Sequence, residues 1–210
     1  AARARAAHLV PEHEAKRALG AFGLATPTGV EVTGADRLED AAKDLAEPLV
    51  LKAVGLAHKS EAGGVRIGLR ADEVESAART MPQGRYLVEE MVQGAVAELL
   101  IGVVRDPAHG FVLTLGAGGV LAELWCDTAS VLVPTPREGI MAALQRLRIW
   151  PLITGYRGKP AADLEAILSA VMAVQDYVIA NVDIISEVEI NPLMCTPDAA
   201  IAVDALLYQS

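Results

Sequence analysis

The chain has 210 residues, of which 52% are apolar and 21% are charged, and its formal net charge is −9. This composition is typical of a globular protein with room for one domain or two small subdomains. The acidic balance and the lack of a long basic run argue against non-specific nucleic-acid binding, and 4% aromatic residues argue against single-strand stacking. The longest apolar runs, such as Leu99 to Val104, are far too short to cross a bilayer, so no membrane role is expected.

The cysteine count points to a reducing compartment. Cys126 and Cys195 lie far apart in the sequence and match no metal-ligand spacing. A disulfide between them stays open at this level, but a cytoplasmic location is the simpler interpretation.

Helical and strand patterns alternate in the first half of the chain. Apolar residues at helical spacing predict helices, and short alternating or continuous apolar runs predict strands. The predicted helices cover residues 11–22, 36–46 and 72–81, and the predicted strands cover 48–54, 65–69 and 86–92.

Strands cluster in the second half. Residues 98–104 and 111–115 are predicted to pair across a turn-rich stretch, and helices follow Thr135 and span about 162–180. Strands are predicted over 184–190 and 200–205. The class is therefore α/β or α+β with two lobes. Residues 1–10, rich in Ala and Arg, are expected to be a linker or disordered start, 11–92 an N-terminal subdomain and 93–210 a C-terminal subdomain.

The stretch from Leu49 to Val65 has the features of a polyanion site. A short apolar strand ends at Lys52, and a polar loop containing His58 closes on Gly63 and Gly64. A strand fixes the lysine, while the glycines let main-chain N–H groups approach a phosphate closely. The spacing is neither a Walker A motif nor a dinucleotide-binding fingerprint.

A second polar pattern lies near the end of the chain. Glu187, Glu189 and Asn191 alternate with Val188 and Ile190, which places the polar side chains on one strand face. Asp204 follows where the chain can return as an antiparallel neighbour. Carboxylate and amide oxygens suit Mg²⁺, although a solvated sheet face is the alternative.

Together these motifs resemble the ATP-grasp, β-subunit-like domain of NDP-forming acyl-CoA synthetases. The motifs are, in chain order, Leu51-Lys52, His58 to Val65, Gly102 with Arg105-Asp106-Pro107, Gly116 to Gly119 with Glu123 and Asp127, Tyr156-Arg157-Gly158, and Glu189 to Leu193 with Asp204. Each motif is weak alone, but six in order are specific. The resemblance implies two α/β lobes that grip ATP or ADP between them.

The resemblance also implies roles for individual residues. His58 resembles the loop histidine that carries a phosphoryl group, and Lys52 resembles the strand lysine at the phosphates. The other residues expected at the nucleotide are Lys59, Ser60, Gly63 and Gly64 near the phosphates, Glu89, Glu90, Met91 and Val92 as the adenine-reading hinge, and Glu98 at the ribose. The residues expected to bind Mg²⁺ are Asn191 and Asp204, with Glu189 as a third ligand.

The implied activity is that of an acid–thiol ligase: acyl-CoA + ADP + phosphate ⇌ carboxylate + CoA + ATP. The CoA-binding part is expected on an α-like subunit or a fused upstream domain, which would also bind the acyl-CoA and the carboxylate. Two alternatives stay open, a non-catalytic nucleotide-binding regulatory domain of a larger protein such as a protein acetyltransferase, and a β-like subunit of succinate–CoA ligase.

Two details near the second glycine loop stay open as well. Gly116 to Gly119 are expected either to bind phosphate or to form a tight turn between strands. Glu123 and Asp127 are expected either to contact His58 or phosphate, or to serve as turn and cap residues.

Overall fold

The computed structural model describes residues 8–55, 63–82, 84–119 and 126–209. The chain forms two compact units: the first contains the described parts of Ala1–Thr26 and Gln93–Ser210, and the second is Pro27–Val92. Within the described residues, no helix is long and apolar enough to cross a membrane.

The second unit is a four-stranded antiparallel sheet with two short helices. The strands are β2 (Gly29–Thr33), β3 (Leu49–Ala53), β4 (Val65–Leu69) and β5 (Arg85–Glu90), in the spatial order β2-β5-β3-β4. The helices are α2 (Leu38–Ala42) and α3 (Val74–Ala78), each preceded by a 3₁₀ turn, Ala35–Arg37 and Ala71–Glu73. Leu49, Leu51 and Val88 pack against the helices from one face of the sheet. The opposite face is therefore left to other side chains, because neighbours along a strand alternate between faces.

The first unit is built on a larger antiparallel sheet of seven strands. Its order is β1-β11-β9-β6-β7-β8, and β10 pairs with β9. The strands are β1 (His8–Val10), β6 (Ala97–Asp106), β7 (Gly110–Ala117), β8 (Thr128–Leu132), β9 (Ile185–Cys195), β10 (Ala200–Ala202) and β11 (Ala205–Gln209). The pairing of β6 with β7 confirms the predicted hairpin.

Helices of the first unit pack on one face of this sheet. They are α1 (Glu12–Gly20), α4 (Arg137–Gln145), α5 (Trp150–Ile153) and α6 (Leu164–Ala180). Leu99, Ile101 and Val103 on β6, with Val188 and Ile190 on β9, join the helices in one core. The residues between them, including Gly102 and Glu189, therefore project to the other face.

The N-terminal boundaries predicted from the sequence need correction. His8–Val10 is a strand that pairs with β11 rather than part of a linker, and α1 packs against β11 in the first unit. Residues 11–26 therefore group with the C-terminal part of the chain instead of with 27–92. A three-residue strand gives too little alternation to detect, and pairing between distant parts of a chain leaves no local pattern. The chain passes from the second unit to the first between Val92 and Gln93.

Candidate nucleotide and metal site

Lys52 and Glu89 form a buried ion pair in the second unit. The Lys52 Nζ lies 2.9 Å from the Glu89 Oε2, and both side chains are less than 10% exposed. Leu87 is the residue opposite Lys52, so Glu89 is its diagonal neighbour two residues along β5. The pair lies on the sheet face opposite α2 and α3, since Leu51 and Val88 occupy the helix-covered face.

Gly29 makes room for the Glu89 side chain. Gly29 pairs directly with Glu89 across β2 and β5. A Cβ at Gly29 would lie 2.5 Å from the Glu89 Cγ and 2.7 Å from the Val88 carbonyl oxygen. Any larger residue would thus push against the strand backbone as well as the carboxylate. No local motif marks Gly29 in the sequence, because its neighbour across the sheet is set by strand register.

The predicted adenine hinge begins inside a strand. Glu89 is part of β5, and its carboxylate faces Lys52. The Glu90 N–H donates to the Thr28 carbonyl, and the Met91 N–H donates to the Pro48 carbonyl. The Glu90 carboxylate accepts the Ala46 N–H at 3.0 Å. Both main-chain N–H groups therefore have partners within the second unit, and the predicted reading of adenine by residues 89–92 stays a prediction.

Gly63 and Gly64 close the connection from β3 to β4. The Gly64 carbonyl accepts the Ala53 N–H at 2.8 Å, and the Gly63 carbonyl accepts an Arg66 guanidinium N–H at 2.9 Å. These bonds fix the place where the loop rejoins the sheet next to Lys52, which pairs with Val65. The predicted carrier His58, together with Lys59 and Ser60, lies outside the described residues.

In the first unit, strand register brings Asp204 opposite Asn191. Ala205 pairs with Ile190 and Ala202 pairs with Leu193, so β10 and β11 meet β9 in a single register. Continuing that register across the intervening residues puts Asp204 directly across from Asn191. Residues opposite each other in an antiparallel pair project to the same face, here the face opposite the described helices.

Asn191 is the centre of a hydrogen-bond group on this face. Its Oδ1 accepts the Gly119 N–H at 2.9 Å, and its Nδ2 donates to the Glu189 Oε1 at 3.5 Å. The Asp204 Oδ1 accepts the Ala205 N–H at 2.9 Å. The predicted metal ligands Glu189, Asn191 and Asp204 therefore share one side of the sheet.

The second glycine loop, residues 116–119, lies against Glu98. The Gly118 N–H donates to the Glu98 carbonyl at 2.9 Å, and a Cβ at Gly118 would lie 2.6 Å from the Leu99 main chain. A Cβ at Gly119 would lie 1.8 Å from the Glu98 Oε2. Both loop N–H groups serve internal partners, Glu98 and Asn191, which favours the tight-turn alternative over direct phosphate binding. Glu98, predicted at the ribose, is thereby a neighbour of the group around Asn191.

The donor set fits a hard divalent cation. Two carboxylates and one amide oxygen are the ligands that Mg²⁺ accepts, with substrate phosphates and water completing its coordination. Among the residues that the structure describes, no three His, Cys, Asp or Glu side chains form a metal-binding group. The candidate set therefore depends on the amide of Asn191.

The Asp127 carboxylate binds the main chain that precedes α5. Its carboxylate accepts the main-chain N–H groups of Arg148 and Ile149, at 2.9 and 3.1 Å, just before α5 begins. The residue is only 8% exposed, and the two bonds give its carboxylate a structural task. A contact of Asp127 with His58 or phosphate stays a prediction. Glu123 lies outside the described residues.

Cys195 at the end of β9 is not a candidate nucleophile. Burial raises the pKa of its thiol to about 12, and the negative charge of Glu98 adds to the shift. The thiol is therefore protonated at neutral pH, whereas only a thiolate attacks substrates or binds metals. Neither Cys195 nor Cys126 forms a disulfide.

Known proteins are similar to this chain in sequence and in fold. Residues 1–208 match a family described as an ATP-grasp domain. The β subunit of an ADP-forming acetate–CoA ligase I from Pyrococcus furiosus is 31% identical, and the match covers 92% of this chain and 89% of that subunit. A trans-feruloyl-CoA synthase from an unknown prokaryotic organism is also 31% identical, over 95% of this chain but 30% of the longer protein. The chain thus spans most of one relative and less than a third of the other.

Acetyl-coenzyme A synthetase 1 of Candidatus Korarchaeum cryptofilum has a similar structure. Its complex with coenzyme A, Ca-AMPCP and HgCl⁺ gives a TM-score of 0.89 at 28% identity, over 96% of this chain and 93% of that chain. Its complex with coenzyme A and Mg-AMPPCP has a phosphohistidine segment pointing towards the nucleotide binding site. That complex gives a TM-score of 0.83 at 30% identity, over 95% of this chain and 92% of that chain. The predicted fold is confirmed by these matches, and the chain belongs to the ATP-grasp family.

Proposed function

We propose that this chain is the nucleotide-binding half of an NDP-forming acyl-CoA synthetase, an acid–thiol ligase. The full reaction would be acyl-CoA + ADP + phosphate ⇌ carboxylate + CoA + ATP. The observation that carries the proposal is the register that puts Asp204 across from Asn191, on the sheet face opposite the described helices of an ATP-grasp chain. The β subunit of an ADP-forming acetate–CoA ligase among its relatives supports the choice of reaction.

The residues expected from the sequence at ATP or ADP would have the following roles. Lys52 would contact the phosphates, residues 89–92 would read the adenine and Glu98 would bind the ribose. Lys59, Ser60, Gly63 and Gly64 would surround the phosphates. Phosphoryl transfer needs positioning and charge neutralisation more than covalent assistance, and lysines and main-chain N–H groups supply both.

Glu189, Asn191 and Asp204 would hold a Mg²⁺ ion. When bound, the ion would neutralise charge on the phosphate oxygens. The part of this chain in that task is to fix the oxygen donors. The Gly119 N–H fixes the Asn191 side chain by donating to its Oδ1. Because a carbonyl oxygen has two lone pairs, the second lone pair of Oδ1 is left for another partner.

His58 would carry the phosphoryl group. A ring nitrogen of the neutral imidazole attacks the γ-phosphorus of ATP, and the new N–P bond forms as the bond to the β,γ-bridging oxygen breaks. That oxygen keeps the electron pair and leaves on ADP. The reverse step returns the phosphoryl group to ADP. A CoA-binding α-like subunit or fused domain would exchange the phosphoryl group with the acyl substrate.

The test is transfer of label from γ-³²P-ATP. The chain is incubated with Mg²⁺ and labelled ATP, alone and with the CoA-binding polypeptide encoded with it, and acid-labile phosphate is measured. We expect label on wild type and none on His58→Asn. His109→Asn is the matched control, because His109 is exposed and its ring Nδ1 lies 2.9 Å from the nearby Asp106 carboxylate.

Two outcomes would contradict this assignment. The first is folded wild-type protein that takes up no label in either setting, and the second is a His58→Asn variant that labels like wild type. Binding of Mg·ATP without any transfer would favour the alternative of a non-catalytic nucleotide-binding domain.

A further inference from the structure

A positively charged segment interrupts an acidic chain. Residues 139–162 contain four of the 18 basic residues, Arg146, Arg148, Arg157 and Lys159, and none of the 27 acidic ones. The rest of the chain therefore has a formal charge of −13, against −9 for the whole. Such a concentration of one sign is informative about binding partners rather than about the fold.

These cations lie on one compact connection in the first unit, between α4 and α6. Arg146 immediately follows α4, and Arg157 and Lys159 lie in the turn after α5. The turn folds back on itself, since the Lys159 N–H donates to the Tyr156 carbonyl and the Ala162 N–H donates to the Ile153 carbonyl. We call residues 146–159 the basic connection.

Three of the four cations have no acidic partner in the part of the chain that the structure describes. Arg146, Arg157 and Lys159 are exposed, and no described carboxylate lies within ion-pair distance of them. The neighbouring Asp127 carboxylate is engaged by the main-chain N–H groups of Arg148 and Ile149. Elsewhere in the described residues, Arg70, Arg79, Arg85 and Arg137 each form an ion pair with a carboxylate.

Arg157 has a left-handed backbone conformation, which is unfavourable for residues other than glycine. Its φ is +50°, between Gly155 at +97° and Gly158 at +81°. Its guanidinium stacks over the ring of Tyr156 at 5.2 Å, and Tyr156 is 45% exposed. Arg157 thus presents a long charged side chain from a left-handed position at which glycine would carry no conformational cost.

We infer that the basic connection is a docking surface for an acidic face of the CoA-binding polypeptide. This inference rests on the proposed function, which requires such a partner. A protein partner is favoured over a small phosphate ligand because the cations follow one another along a surface turn. Exposed arginine and tyrosine, with the half-buried Trp150 nearby in sequence, are also the residue types enriched at protein interfaces.

The experiment measures the affinity of the full chain for the CoA-binding polypeptide encoded with it. Calorimetric titrations at 50 and 300 mM NaCl compare wild type with Arg157→Glu/Lys159→Glu. We expect the reversal to raise Kd about 30-fold or more at low salt and to flatten the salt dependence. The control, Arg37→Glu/Arg105→Glu, makes the same charge change at exposed positions outside the basic connection and should leave Kd within about threefold of wild type.

A second variant separates docking from folding. Arg157→Gly suits the φ of +50°, so its melting temperature should equal or exceed that of wild type. Its Kd for the partner should nevertheless rise about tenfold, because the stacked guanidinium is lost. Equal affinity of wild type and this variant would contradict a docking role for Arg157.

Separate assays distinguish failure of the docking inference from failure of the proposed function. Mg·ADP binding and His58 labelling test the function, and neither should change in Arg157→Glu/Lys159→Glu. Unchanged partner affinity in that variant, or no partner binding by a wild type that binds Mg·ADP, overturns the docking surface alone. Loss of Mg·ADP binding in the variant also overturns it, because the cations would then serve the nucleotide. A wild type that neither binds Mg·ADP nor takes up label overturns both.

Discussion

The Lys52 Nζ lies 2.9 Å from the Glu89 Oε2, with both side chains buried on the face of a four-stranded sheet opposite α2 and α3. Burying such an ion pair costs desolvation free energy. Removing either partner destabilises the fold, because the other charge then stays buried without compensation. Nucleotide phosphates that reach Lys52 would therefore meet a lysine whose charge already has a partner. The consequence for stability can be measured without any ligand.

Removing only one member of this pair should destabilise the protein strongly. Lys52→Met leaves the Glu89 charge buried without the lysine, and we expect the free energy of unfolding to fall by about 3–5 kcal/mol. Lys52→Met/Glu89→Met should recover most of that loss, because an apolar pair needs no compensation. Urea unfolding measures both. Equal destabilisation by the single and double variants would mean that the two residues do not act as a pair.

The more exposed pair of Arg85 and Glu31 gives the matched comparison. Its nitrogen–oxygen distance is also 2.9 Å, but the Arg85 side chain is 47% exposed. Arg85→Met should therefore cost about 1 kcal/mol or less.

Gly119→Ala should weaken nucleotide binding more than it weakens the fold. The new Cβ would displace the Glu98 carboxylate, which is the end of a flexible side chain, and would disturb the N–H that holds Asn191. We expect the Kd for Mg·ADP to rise about tenfold or more, which corresponds to about 1.4 kcal/mol. Gly110→Ala controls for the backbone term, since Gly110 also has positive φ but open space around its Cβ position. Equal Mg·ADP affinities in the two variants would rule out a role for the contact between Gly119 and Glu98.

Asp127→Ala should destabilise the fold without preventing phosphoryl transfer. The substitution leaves the main-chain N–H groups of Arg148 and Ile149 without their acceptor, at a cost of about 2–3 kcal/mol in the free energy of unfolding. Asp127→Asn keeps one carbonyl acceptor and should lose about half as much. Thermal unfolding and His58 labelling are measured in parallel. Loss of label with unchanged stability would instead support a contact between Asp127 and the phosphoryl group.

Cys195 should make stability fall at high pH. The pKa of its thiol is about 12 in the folded chain against an ordinary value of 9.0, so the folded state holds the proton more tightly. The stabilisation is fully present below pH 9 and is lost as pH rises from there towards 12. Wild type should therefore lose more stability than Cys195→Ala between pH 8 and pH 10.5, as measured by urea unfolding. Parallel curves for the two proteins would show that the thiol does not titrate as described.

Local sequence patterns predicted the faces of single strands but not the contacts between strands. The alternation of Glu187, Glu189 and Asn191 with Val188 and Ile190 correctly separated a polar from a buried face, because side-chain direction follows from strand period alone. Asp204 was placed near Asn191 because a short return makes an antiparallel neighbour. The partner of Lys52, by contrast, depends on the register between β3 and β5, which no local period encodes.

Short helices and strands were harder to predict than long ones. The helices expected over 36–46 and 72–81 contain only Leu38–Ala42 and Val74–Ala78 as α-helix, each with a preceding 3₁₀ turn. Tertiary packing shortens them, since two small helices suffice to cover a four-stranded sheet. Strands β1, β2 and β8 were missed, and each has five residues or fewer.

The pairing of β1 with β11 makes His8 and Gln209 neighbours at one sheet edge. Polypeptide attached before residue 8 and polypeptide attached after residue 209 would thus emerge side by side. A short linker could join those two positions, and new chain ends could be opened in an exposed turn such as the one at Pro107 and Ala108, between β6 and β7. This geometry makes the chain a good candidate for circular permutation. It also makes the chain suitable for domain insertion into a surface loop of another protein.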